Sequence, residues 1–281
     1  LLDDDEIGAR CDLLVVGPRG TEVDVHESVG DWTPGGEVAT AGRLAGDAVV
    51  RATELALAGA VRGIVTAPLD KHALLLGGHD APGHTELLAA LTGRPTAMML
   101  AAGPLRVVLA TTHIALRDVP AALTRDALVD AVTLTRAGLQ HWFGIAAPRI
   151  ALCALNPHAG DGGRFGTEDT ELLAPVARDT GALGPFPADT VFVRARRGEF
   201  DAVIAPYHDV GMTAIKVAAF GEGVNITLGL PFPRTSPDHG TALDIAGLGR
   251  ADPSSMRAAT LLCAALAEHG AAQGIAAVPG A

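Results

Sequence analysis

The chain has 281 residues, 48% of them hydrophobic and 19% charged, with a formal net charge of -11. That is enough apolar material to bury one large core or two smaller ones, which excludes disorder as the default state. The acidic balance, with no cluster of Lys and Arg, excludes a nonspecific nucleic-acid binder, because neutralising phosphates needs a local cationic surplus.

Taken in chain order, the hydrophobic pattern alternates between two kinds of segment. An apolar, β-rich run over 12–16 is followed by a helical pattern over 40–58, a run over 63–66 and a helical pattern over 85–91. Runs over 96–101 and 105–111 precede a helical pattern over 120–143. A run over 149–155, a helix over 167–179, runs over 202–206 and 223–228, and a helix over 255–269 complete the series. Most runs are continuous rather than alternating, as expected of strands covered on both faces, so the expected class is α/β. The Gly/Pro-rich stretches 76–84 and 235–240 are the expected crossings between two interwoven lobes. On that basis the first lobe is 1–76 plus 240–281, and the second is 77–239.

Three cysteines, Cys11, Cys153 and Cys263, form no CxxC spacing, so each reads as a small buried hydrophobe in a reducing compartment. No apolar run approaches the ~18 residues of a membrane span, and the acidic start is unlike a secretory signal. Cytoplasmic localisation without a membrane partner is the expectation.

Several polar residues stand where chemistry is done. His113 follows VVLATT, His158 follows ALCALNP and His208 follows AVIAPY, so each would project from the carboxyl end of a buried strand. Three imidazoles suit a divalent ion, yet each alone reads more readily as a hydrogen-bonded residue at a strand end. His84 and Thr85 sit in PGHTE, with Thr85 read as a helix cap and His84 at the positive end of the helix, a natural phosphate site or a plain cap. The glycine-rich stretch 160–166 is either an anion-binding turn or a flexible loop. Lys216, Asn225 and Arg234 interrupt apolar sequence, and buried cations are costly unless they face a ligand or partner. No GxGxxG fingerprint occurs, so a nicotinamide cofactor would need another mode of binding.

Seven strings, TAPLDKHAL (66–74), PGHTELLA (82–89), TTHIALRDVPAALT (111–124), LNPHAGDGGRFGTED (155–169), GPFPADT (184–190), YHDVGMTAIK (207–216) and GVNITLGLPFPRTSPDHGTALDIAG (223–247), resemble the 4-hydroxythreonine-4-phosphate dehydrogenase family of vitamin B6 (pyridoxine) biosynthesis. The resemblance covers about residues 40–280. It implies a two-lobed α/β/α fold like that of isocitrate dehydrogenase, with a cleft between lobes completed across a homodimer. It implies His113, His158 and His208 as ligands of a zinc-, cobalt- or manganese-type divalent metal, one of them from the neighbouring subunit. His84 and Thr85 match contacts to the substrate phosphate. Lys216, Asn225 and Arg234 match further substrate contacts, with Asp189 near the same cleft.

The implied reaction is NAD- or NADP-linked oxidation, with decarboxylation, of 4-phosphohydroxy-L-threonine to 3-amino-2-oxopropyl phosphate. Lys216 is the expected proton carrier, and Asp209 the partner of a histidine or of Lys216. A related dehydrogenase for a 4-phosphorylated threonate- or erythronate-like acid, and a noncatalytic metabolite-binding relative, are the alternatives. Val210 stands where the family commonly has Gln and Asp70 where it commonly has Asn, which bears on substrate choice. The family's opening strand and GDPxGIGPE-type loop have no counterpart in the first forty residues. Lack of that first strand would open one lobe's sheet and weaken cofactor binding.

Overall fold

The computed structural model describes residues 1–218 and 223–272; the end of the expected first lobe, 273–281, and residues 219–222 of the expected second lobe lie outside them. The α/β class holds, in two compact units. Unit 1 is Leu1–Thr96 with Leu230–Ala281, and unit 2 is Ala97–Gly229. The division thus falls later in the first crossing, and earlier in the second, than the Gly/Pro-rich stretches suggested. The physical reason is packing: the helix after 76–84 lies on the long helix of unit 1, and residues 234–237 form a strand of unit 1.

Unit 1 opens with α1 (Asp5–Arg10), β1 (Val16–Arg19), β2 (Glu27–Asp31), α2 (Val38–Leu57), β3 (Ile64–Val65), α3 (Lys71–Leu76) and α4 (His84–Thr92). Unit 2 follows with β4 (Ala97–Ala102), β5 (Leu105–Leu109), α5 (Val119–Ala122), α6 (Arg125–His141) and β6 (Ile150–Cys153). It continues with α7 (Ala174–Thr180), β7 (Leu183–Phe186), α8 (Ala188–Arg196), β8 (Ala202–Ala205), α9 (His208–Ala218) and β9 (Val224–Leu228). The chain then returns to unit 1 for β10 (Arg234–Pro237) and α10 (Ser254–Ala272).

In unit 1, β1 pairs with β2 and β3 with β10, both parallel. Two glycines of α2 set the packing. A Cβ on Gly42 would lie 1.7 Å from the Ala73 carbonyl oxygen, and one on Gly46 would fall 2.1 Å from the His79 ring. Only a bare backbone lets α3 and the turn after it approach so closely. The Asp70 carboxylate starts α3 by accepting from the Ala73 N–H at 2.7 Å. The core beneath joins Val49, Ile64, Leu87, Leu88, Leu230 and Phe232, so it draws on both stretches of the chain.

Unit 2 carries a six-stranded mixed sheet in the order β9-β4-β5-β8-β6-β7. β4 is antiparallel to both β9 and β5, and the strands from β5 to β7 are parallel. β6 and β8 are buried along their whole length, which is why their sequences IALC and AVIA are continuous rather than alternating. Helices α8 and α9 cover the core around Val107, Leu109, Val191, Val203 and Ile215.

The pattern over 120–143 is two helices, because Leu123 leaves helical geometry and Thr124 caps α6 through Ala127 N–H at 3.2 Å. The pattern over 167–179 begins with a π-helical turn, Asp169–Leu173, before α7. Strands β2, β7 and β10 arise in polar or Gly/Pro-bearing sequence with no continuous apolar run, β10 overlapping the Gly/Pro-rich stretch 235–240.

Candidate active site

Unit 2 brings two of the three histidines together. β5 and β8 are parallel neighbours in register, Leu109 opposite Ala205, so the segments leaving their carboxyl ends emerge side by side. Two hydrogen bonds extend that alignment beyond the strands: Ala110 N–H donates to the Ala205 carbonyl at 2.9 Å, and the buried Thr111 hydroxyl to the Pro206 carbonyl at 2.8 Å. Gly211 lets α9 settle on the sheet, since a Cβ there would meet Leu109 at 2.6 Å and Ala205 at 3.0 Å. The outcome is a pair of imidazoles, His113 and His208, with ring centroids 5.3 Å apart and planes tilted by 44°.

His208 opens α9, and its Nδ1 lies 2.7 Å from Asp209 Oδ1. With Nδ1 engaged by a carboxylate, Nε2 is the nitrogen left to bind a cation. Two imidazoles, one backed by a carboxylate, are a fitting partial ligand set for a divalent ion. The expected triad is not gathered within one chain: among the described residues no three His, Cys, Asp or Glu side chains are close enough to hold an ion. His158 is exposed, at φ 54° in a left-handed turn after β6.

Lys216 and Asn225 belong to the same unit. Lys216 is half-buried in the last turn of α9, about 12 Å along the axis from His208 at 1.5 Å per residue. Asn225 on β9 donates from Nδ2 to the Met98 sulfur at 3.5 Å, and its buried Oδ1 accepts no hydrogen bond among the described residues. Asp189 is exposed in the first turn of α8, with no hydrogen bond or ion pair among the described residues.

The phosphate-type candidates are in unit 1. Gly83 caps α4 with no side-chain bond and His84 is its first residue, so Thr85 is not the cap the sequence suggested but the second helical position. Arg234 is in β10 and 1% exposed, with a guanidinium N–H donating to the Thr66 hydroxyl. Burial lowers its pKa to about 10, so it is still a cation at neutral pH. His84 is half-buried, and burial, followed by the charges of Arg234 and Lys71, pushes its pKa down to about 3. It is therefore a neutral donor or acceptor beside two cations. Thr66 and Lys71 were not singled out from the sequence, although both lie in TAPLDK; only the fold shows that this stretch flanks the start of α4.

The family model for the pyridoxal phosphate biosynthetic protein PdxA matches residues 9–263. The 4-hydroxythreonine-4-phosphate dehydrogenase of Desulfosudis oleivorans is 50% identical over 218 residues, 75% of this chain and 64% of that protein. The chain thus spans just under two thirds of that relative's length. The enzyme of the same name from Burkholderia vietnamiensis is 46% identical over 272 residues, covering 94% of this chain and 82% of its own. The crystal structure of the Klebsiella pneumoniae 4-hydroxythreonine-4-phosphate dehydrogenase superposes with a TM-score of 0.78 at 41% identity, covering 93% of this chain and 85% of that one. With that extent of agreement, in sequence and in fold, the chain belongs to the PdxA family of pyridoxal phosphate biosynthetic proteins.

Proposed function

We propose that the chain is a 4-hydroxythreonine-4-phosphate dehydrogenase that oxidises 4-phosphohydroxy-L-threonine, with loss of CO₂, to 3-amino-2-oxopropyl phosphate. The observation that carries this reading is the His113–His208 pair at the ends of adjacent parallel strands, in a chain whose relatives bear that enzyme's name. NAD, or NADP, is the hydride acceptor. His113 and His208 hold a divalent metal of the zinc, cobalt or manganese type, with His158 completing the set across a homodimer. When bound, such an ion supplies acidity to the substrate hydroxyl and an electron sink for the carboxylate's departure.

The protein's own residues do the rest. Asp209 fixes the His208 ring so that Nε2 faces outward as a lone-pair donor. Arg234 and Lys71 provide two positive charges for a phosphate dianion, and neutral His84 and the Thr85 hydroxyl provide donors. Asn225 offers an unused carbonyl oxygen to a substrate N–H or O–H. Lys216 carries the proton between the reacting carbon or oxygen and water, and Asp189 borders the substrate. As part of the same reading the enzyme works in the cytoplasm; no described helix is long and apolar enough to cross a membrane.

A substrate panel tests the proposal. NADH formation is followed with 4-phosphohydroxy-L-threonine, 4-phosphothreonate and 4-phosphoerythronate, on protein whose metal content has been measured. Turnover of the amino acid and its loss on chelation are expected. Activity confined to the non-amino acids would remove the vitamin B6 assignment in favour of the related sugar-acid dehydrogenase, and no turnover at all would favour a metabolite-binding relative.

A further inference from the structure

We propose that Asp169, assisted by Glu168, is a positioning residue for His158: it pins the segment between β6 and α7 in a left-handed turn that presents the imidazole before any ligand arrives. The inference rests on the reading of His158 as a metal ligand.

After β6 the chain makes an unusual excursion. His158, Ala159 and Asp161 have φ of 54°, 54° and 45°, and Gly160 and Gly162 between and after them are also positive. Side chains other than glycine rarely adopt this region, and a run of such residues persists only where its surroundings over-determine it. The entry to the excursion is tied to one carboxylate from beyond its far end. Asp169, 0% exposed, accepts from the Leu155 N–H at 2.8 Å on one oxygen and from the Asn156 N–H at 3.0 Å on the other. The next tie is parallel to it: Asn156 Nδ2 donates to Glu168 Oε2 at 2.8 Å.

Two glycines shape the segment. Gly160 is buried at φ 85°, and a Cβ there would stand 3.0 Å from the Gly166 carbonyl oxygen. At Gly166, φ 126°, a Cβ would fall 2.4 Å from Glu168 Oε2 and 2.9 Å from Asn156 Nδ2, on the bond between them. Phe165 N–H closes the turn on the Gly160 carbonyl at 3.1 Å. The glycine-rich stretch is therefore not a flexible loop. Its base is a buried carboxylate with both oxygens used on the two residues just before Pro157-His158, and its exposed product is the His158 side chain.

The test uses the full-length protein with Co²⁺ as the probe. Co²⁺ affinity is measured by chelator competition, and amide hydrogen exchange is followed across 155–166 and, as a reference, across β5 and β8. Asp169→Asn replaces an acceptor with an amide that faces a backbone donor. It should weaken Co²⁺ binding by about 10- to 100-fold, the range for groups that orient metal ligands, and speed exchange in 155–166 while β5 and β8 keep their protection. Glu168→Gln and Asn156→Ala, which leave Asp169 in place, should give smaller losses in the same direction and carry the test if Asp169→Asn does not fold. His158→Ala separates the two ideas. Should it lose Co²⁺ while the 168, 169 and 156 variants bind normally, the positioning role is overturned. Should His158→Ala bind normally, the metal reading of His158 falls, and unchanged exchange in the 169 or 156 variants would still refute the pinning by itself.

Discussion

Acidification offers a direct examination of unit 1. His84 is held neutral by burial and by the charges of Arg234 and Lys71, with its pKa lowered from 6.5 to about 3. A group whose folded-state pKa lies below its unfolded one binds its proton more readily when unfolded. Between those two values the unfolded state therefore carries the extra proton, and stability falls as the pH falls. At 1.36 kcal/mol per unit, the loss between pH 6.5 and pH 5 is about 2 kcal/mol, and it grows to about 4 kcal/mol near pH 3. Above pH 6.5 the effect is absent. The assay is urea unfolding of the protein and of His84→Gln at pH 7.5 and pH 5, beside the NMR titration of the His84 ring. The wild type should lose about 2 kcal/mol more than the variant on acidification, and the ring should show no titration above pH 5. Arg234→Met should move the ring's titration upward by removing the second-largest cause. A His84 resonance titrating near 6.5 in the wild type would refute the description of this site.

Other outcomes follow from the same packing and bonding. Gly42→Ala should cost more than about 3 kcal/mol in chemical denaturation, since its Cβ would overlap the Ala73 carbonyl in a backbone that cannot yield cheaply. Thr111→Val keeps shape but leaves the buried Pro206 carbonyl without its donor; about 1–2 kcal/mol of stability should go, with weaker metal binding as the His113 and His208 segments separate. Asp209→Asn should reduce metal affinity by about tenfold, read by competition with a chromogenic chelator. Lys216→Met should abolish turnover while metal content stays normal; ordinary turnover would remove its proton role.

Much of this architecture could be read from residue order, and its gaps have physical causes. Continuous apolar runs marked β4, β5, β6, β8 and β9 to within a few residues because strands buried on both faces leave no other pattern. β10 escaped because Arg-Thr-Ser-Pro is polar, and it is buried only because its groups find partners: Arg234 at Thr66, and the Thr235 hydroxyl at the Ala259 carbonyl, 2.7 Å away. β7 escaped because Gly184 and Pro185 break its short apolar run. α9 was hidden by Gly211, a weak helix former kept here by close contact with Leu109. For the site, residue spacing left each histidine ambiguous. The adjacency of His113 and His208 depends on β5 and β8 being neighbours, which no local pattern states. The roles of Thr111 and Asp169 depend on bonds to backbone groups, Pro206 and Leu155, that no residue pattern names and that become visible only when the strands are placed.

The insertion of unit 2 into unit 1 has a consequence for how the molecule is made. Ile64 waits for Arg234, and Leu87 and Leu88 wait for Leu230 and Phe232, so the part of unit 1 that precedes unit 2 leaves a ribosome with its apolar face uncovered. Unit 2 meets no such delay, because all its strands are contiguous in synthesis. Its first and last strands also pair with each other, Ala97 opposite Leu228. Once unit 2 has folded, a long flexible loop has become a short clasp, and much of the chain entropy that would oppose joining β3 to β10 has already been spent. The order of synthesis therefore makes unit 2, which bears the His113–His208 pair, the scaffold on which unit 1 is finished, and the stretch of unit 1 made before it the part most in need of a chaperone.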